Sequence, residues 1–130
     1  MEGSKMESMV ISIEKAVRPV GPHSQAIRRG NILAIGGQVG TDPHSGILCD
    51  GIDEQLRQAM TNIQELLKEA GCSFADVVML HVYLTEEGHF RKMNNVLSEF
   101  LMEPFPARTT VYTQLPPGML VEIDALAVAE

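Results

Sequence analysis

Two charged residues near the C-terminus stand in sequence that otherwise reads as β-strand. Arg108 lies within Phe105-Pro106-Ala107-Arg108-Thr109-Thr110-Val111, and Glu122 within Leu120-Val121-Glu122-Ile123-Asp124-Ala125. A charge in a strand is costly to hold unless it is solvated, paired or used. A guanidinium is a planar fork that matches a carboxylate, and a neighbouring glutamate can position or deprotonate a water. Together the two describe a pocket for a small carboxylate on which water acts. From spacing alone the plainer reading, an ion pair on a half-exposed strand face, carries more weight. Leu115-Pro116-Pro117-Gly118 supplies a turn, and a hairpin there would set Arg108 roughly opposite Glu122. Alternation places Arg108, Thr110 and Tyr112 on one face of the first strand. In the second it leaves Glu122 and Asp124 behind an apolar face of Val121, Ile123, Ala125 and Ala127.

Other chemistries lack their residues. The four histidines, His23, His44, His81 and His89, form no zinc-spaced set, so no metal is expected. His81, inside an apolar run, reads as a hydrogen-bonded core histidine, and His89 as an exposed residue at a helix start. There is no nucleophile elbow, P-loop or dinucleotide fingerprint. Arg28-Arg29 reads as a solvated face rather than an anion patch.

A chain of 130 residues makes one domain, short for a deep self-contained site, so that sites between subunits are a natural alternative. The net charge of −7 argues against a protein that tracks nucleic-acid phosphates. Cys49 and Cys72 read as reduced thiols, and the polar N-terminus and lack of a spanning apolar run point to the cytoplasm rather than to a membrane.

The elements that must position the charges follow from periodicity. Residues 1–8 are expected to be a flexible lead-in, and residues 9–130 a single domain. Met9 to Ile13 gives a short strand, and Ser24 to Arg29 and Asn31 to Val39 give a hairpin turning at Gly30-Asn31. Gly36-Gly37 inside the third strand marks either a bulge or a close backbone approach. A helix is predicted from Ile52 to Ala70, with Leu56, Met60, Ile63, Leu67 and Ala70 on one stripe and Gly71 closing it. Val77 to Leu84 reads as a central strand covered on both faces. Thr85 then caps a second helix from Gly88 to Met102, with Phe90, Met93, Leu97, Phe100 and Leu101 facing inward. The resulting order, β-β-β-α-β-α-β-β, is an α+β sandwich with two helices on one face of a mixed sheet.

Six motifs occur in order from about Val10 to Val128: Gly21-Pro22-His23-Ser24-Gln25-Ala26, Gly36-Gly37-Gln38-Val39, Asp42-Pro43 to Gly46, Gln55 to Ala59, Pro106-Ala107-Arg108-Thr109, and Leu115-Pro116 with Val121 to Ala125. With these the chain resembles the RidA/YjgF family of reactive-intermediate deaminases, also called the L-PSP endoribonuclease family. The resemblance implies a chorismate-mutase-like fold and a homotrimer with clefts between subunits. It also implies cofactor-free hydrolysis of enamines and imines such as 2-aminoacrylate to 2-keto acids and ammonia. By position, Arg108 would grip the substrate carboxylate and Glu122 would hold the attacking water. Asn94, Gly36, Gly37, His23 and the backbone at Thr110 would line the cleft. His23 stands where the family usually has tyrosine, and Gly36 where it usually has serine. Two rival activities stay open at this level: RNA cleavage or translation inhibition, and non-catalytic binding of a small carboxylate by the trimer.

Overall fold

The structure, a computed structural model, describes residues 7–12 and 20–130. Its strands are β1 (Ser8–Ile11), β2 (Ala26–Arg29), β3 (Ile32–Val39), β4 (Val77–Leu84), β5 (Ala107–Tyr112) and β6 (Val121–Val128); its helices are α1 (Ile52–Glu69) and α2 (Phe90–Phe100). They follow the predicted order. Most of the predicted lead-in, and Ile13 of the predicted first strand, lie outside the described residues.

Helix α1 begins after Gly51, with Asp53 and Glu54 in its first turn where the dipole favours acids. It ends in a Schellman turn: Gly71 takes φ 77°, its N–H donates to the Lys68 carbonyl, and that of Cys72 to the Leu67 carbonyl. Arg28, from β2, donates to the Ala70 carbonyl at 2.9 Å and so caps the same terminus. The arginine pair is therefore not simply a solvated face. Helix α2 is shorter than its pattern suggests. Glu87–His89 forms a 3-10 turn first, and Leu101 is already extended, turning the chain toward Pro104. Thr85 is not its cap; that position belongs to His89, which is half-buried rather than exposed.

The sheet has the order β1-β2-β3-β6-β4-β5, antiparallel throughout except for the parallel pair β4 and β5. The last two strands of the sequence therefore do not form a hairpin. β4 lies between them, because the β4-α2-β5 crossover places β5 parallel at the sheet edge while β6 returns to fill the gap beside β3. Both helices cover one face. Leu33, Leu56, Met60, Ile63, Leu67, Leu80, Val82, Leu84, Met93 and Ile123 are fully buried there.

The other face is open. Val10, Ile27, Ile32, Val111, Leu126 and Val128 are 38 to 62% exposed on it. β4 is consequently covered on one face only. Its Met79, His81 and Tyr83 look outward, so His81 is hydrogen-bonded, as expected, but is not a core residue.

Buried amides tie the loops to α1. Gln55 donates to the carbonyls of Cys49 and Gly118, each at 3.0 Å, and accepts from the Leu120 N–H at 2.8 Å. Asn62 likewise donates to the Val39 and Thr41 carbonyls. Gln55 thus sets where β6 begins. Replacing it by leucine leaves up to three backbone groups unpaired, and the Gln55→Leu variant is expected to lose about 2–4 kcal/mol in urea denaturation. A loss under about 0.5 kcal/mol would mean that water replaces the bridge.

Candidate active site

Arg108 sits on the edge strand β5, in register with Leu80 of β4, and so points to the helix-covered side. Its Nη1 donates to Asn94 Oδ1 at 2.7 Å, and its guanidinium carbon lies 5.6 Å from the centre of the Phe90 ring. The amide fixes one limb of the fork and the ring supports its plane by a cation–π contact. Among the described residues no carboxylate lies within ion-pair distance of Arg108. Beside it a cavity of about 350 Å³ opens between α2 and β5, lined by Leu80, Asn94, Leu97, Leu101 and Phe105 as well as Arg108 itself. Thr110, next on the same face, turns its hydroxyl to the Met93 sulfur at 3.8 Å.

Glu122 occupies the opposite face of the sheet. Its strand partners are Val39 of β3 and Tyr83 of β4, and its backbone neighbours Val121 and Ile123 are fully buried on the helix side. The register of β3 against β6 shifts between Ile35 and Gln38, so Gly36-Gly37 forms a bulge. The close approach is there too. A Cβ on Gly37 would fall into the Glu122 carboxylate, 2.8 Å from its Cδ, so only glycine leaves that side chain its place. Gly36 N–H bonds to the Gln25 carbonyl at 2.9 Å, which draws the preceding loop, with the exposed His23, alongside the bulge. Glu122 is half-buried, and burial, followed by the nearby Asp124 charge, pushes its carboxyl above the ordinary range.

The seven residues expected in the site therefore fall into two groups. Arg108, Asn94 and Thr110 gather at the β5 edge beside α2. Glu122, Gly36 and Gly37 gather at the bulge on the open face, and His23 stays on the exposed loop that leads to it. The hairpin ion pair does not exist: Arg108 and Glu122 are separated by β4, stand three register positions apart along it, and face opposite ways. Residues missed by sequence reasoning join both groups. Phe90 faces Arg108 rather than the core, and Asp124 accepts from His81 and Tyr83. The i, i+2 spacing of His81 and Tyr83 in β4 showed that they share a face, but the partner strand was not visible.

The structure thus offers a cationic fork at Arg108 and, on the other face, a carboxylate of raised proton affinity at Glu122. The family model described as Endoribonuclease L-PSP matches residues 13–129. The chain belongs to this family, also known as RidA/YjgF. It is 44% identical to a RutC family protein of Pyrococcus abyssi over 96% of this chain and 100% of that one. It is 42% identical to the 2-iminobutanoate/2-iminopropanoate deaminase of Bos taurus, covering 96% of this chain and 93% of that one. The RidA crystal structure from an Antarctic Psychrobacter superposes with a TM-score of 0.89 at 39% identity, covering 92% of this chain and 98% of that one.

Gly37 tests the bulge. The three atoms nearest a Cβ there all belong to the Glu122 side chain, and the backbone is not in the left-handed region. Gly37→Ala should therefore stay within about 1 kcal/mol of the parent stability in chemical denaturation. A crystal structure of the variant should show the Glu122 carboxylate swung off the bulge, with loss of any activity that depends on it.

Proposed function

We propose that this RidA-family chain is a deaminase of the 2-iminobutanoate/2-iminopropanoate type, hydrolysing reactive enamines and imines to 2-keto acids and ammonia in clefts between subunits of a homotrimer. The observation that carries the reading is the separation of Arg108 and Glu122. Each is exposed enough to meet a ligand, neither has a charge partner among the described residues, and the two face opposite ways. A second copy laid on the open apolar face would bury that face. It would also bring its own β5 edge, with Arg108, toward the first copy's Glu122. Burial of exposed apolar surface against a different patch of the next copy is the ordinary driving force of such a ring. The 42% identity to a deaminase over nearly the whole chain supports the same chemistry.

In this mechanism the Arg108 fork, steadied by Asn94 and Phe90, binds the substrate carboxylate. Backbone at Thr110 of the same strand orients the imine nitrogen. Glu122 accepts a proton from water as the water oxygen bonds to the iminium carbon. The resulting carbinolamine collapses: Glu122 returns the proton to nitrogen, the carbon–nitrogen bond breaks as the hydroxyl oxygen becomes the carbonyl, and the hydroxyl proton passes to the departing ammonia, which leaves as ammonium with a keto acid behind. The raised proton affinity of Glu122 suits a group that must both take and return a proton. The substrate is already reactive, so positioning supplies much of the acceleration needed. The net charge of −7 weighs against RNA as substrate. Among the described residues no helix is long and apolar enough to cross a membrane, and both cysteines are free, which fits a cytosolic setting.

Arg108→Ala and Glu122→Gln should each abolish keto acid and ammonia release from freshly generated 2-aminoacrylate. Unfolded together and refolded as mixed trimers, they should recover about a quarter of the parent activity, because random assortment rebuilds intact clefts from one subunit's Arg108 and its neighbour's Glu122. No recovery from properly assembled mixtures would place both groups in one subunit's site and overturn the interface.

A further inference from the structure

Glu122 shares the open face with a small polar network that the reaction above does not use. Asp124 lies two residues along β6. His81 is the register partner of Asp124 on β4, and Tyr83 is the register partner of Glu122. On the far side of β4, β5 presents Thr109 and Val111, and β3 contributes the glycine bulge, so the titratable groups facing Glu122 are Asp124, His81 and Tyr83. Asp124 Oδ1 accepts from His81 Nδ1 at 2.6 Å, and its Oδ2 accepts from the Tyr83 hydroxyl at 3.0 Å. A carboxylate only accepts, so the imidazole carries its proton on Nδ1 in this pair.

The Tyr83 hydroxyl passes over its own partner. Cross-strand register sets it beside Glu122, yet it donates to the diagonal neighbour Asp124, and Glu122 is left with no hydrogen-bond donor among the described residues. One difference between the two carboxylates is that Asp124 already holds a donor, His81. The imidazole fixes how the Asp124 carboxylate is turned, with Oδ1 on His81 and Oδ2 toward the Tyr83 hydroxyl. We propose that His81 is a positioning residue for Glu122: by donating to Asp124 it keeps that carboxylate turned toward Tyr83, draws the tyrosine hydroxyl to the diagonal, and leaves Glu122 bare for water. The directions of titration agree. The bond to Asp124 holds the Tyr83 hydroxyl above its usual range, while burial and the Asp124 charge hold Glu122 up. A Tyr83 bond to Glu122 would act the other way, because donation to a carboxylate favours its anion. The consequence for catalysis rests on the deaminase reading; the hydrogen-bond arrangement does not.

The test follows the Glu122 carboxyl by 13C NMR titration of glutamate-labelled protein, with Glu122→Gln assigning the resonance. It is paired with the pH profile of imine hydrolysis. In His81→Ala the tyrosine is released, and the Glu122 midpoint should fall by roughly half to one pH unit, with kcat about tenfold lower. His81→Asn, whose amide can donate from the place of Nδ1, should keep the parent midpoint and rate. Tyr83→Phe added to His81→Ala should bring the midpoint back up, since no hydroxyl remains to bond Glu122. A midpoint that stays or rises in His81→Ala overturns the proposal, because a tyrosine hydroxyl newly bonded to Glu122 can only lower it. So does a His81→Asn variant as altered as His81→Ala. If the midpoints move as stated but the parent protein hydrolyses no imine, the network stands and the deaminase reading falls. If the parent hydrolyses imines and the midpoint does not move, the reverse holds.

Discussion

The placement of Glu122 and Asp124 depends on β6 pairing with two strands at once, β3 on one side and β4 on the other. That double pairing fills the gap left by the β4-α2-β5 crossover and makes the last strand of the chain an interior one. Its alternation then acts on both sides of the sheet. Val121, Ile123, Ala125 and Ala127 complete the core under the helices, while Glu122 and Asp124 are held on the open face by the same backbone. A shift of one residue would bury both acids and expose the core set, so the hydrophobic pattern fixes where the carboxylates stand.

Two local features refine that placement. The bulge at Gly36-Gly37 takes up one extra residue against β6 and removes the side chain that would fill the space of the Glu122 carboxylate. Gln55, buried in α1, receives the Leu120 N–H just before β6 and anchors the two loops that flank it. Core packing, loop anchoring and the position of the Glu122 carboxylate are therefore one problem in this fold. Arg108 belongs to a different part of it. Its strand is at the edge, and the guanidinium is oriented by α2 through Asn94 and Phe90 rather than by the sheet.

An open apolar face carrying a half-buried, unbonded glutamate is poor design for an isolated chain, since exposed apolar area and a desolvated charge both cost stability. It is sensible for a subunit. Covering the face would recover the apolar burial and enclose the carboxylate, and the assembly proposed above would set a neighbour's cation beside it. This is why the division of the site between two faces supports an assembly and a shared cleft more strongly than any single residue does.

The amino-acid sequence by itself determined the order and extent of nearly every element. It also picked out Leu56, Met60, Ile63 and Leu67 as core, Gly71 as the end of α1, and Arg108 and Glu122 as the residues to explain. These are local properties: periodicity, turn chemistry and capping are written within a few residues of where they act. Which strand lies beside which was decided only by the tertiary structure. The turn at Leu115 to Gly118 is compatible with a hairpin, and no local signal shows that β4 takes the place between β5 and β6, because that depends on the handed crossover through α2 and on which strands together complete the core under the helices. The same non-local pairing set His81 against Asp124, carried Tyr83 past Glu122, and put Arg108 and Glu122 on opposite sides of the sheet.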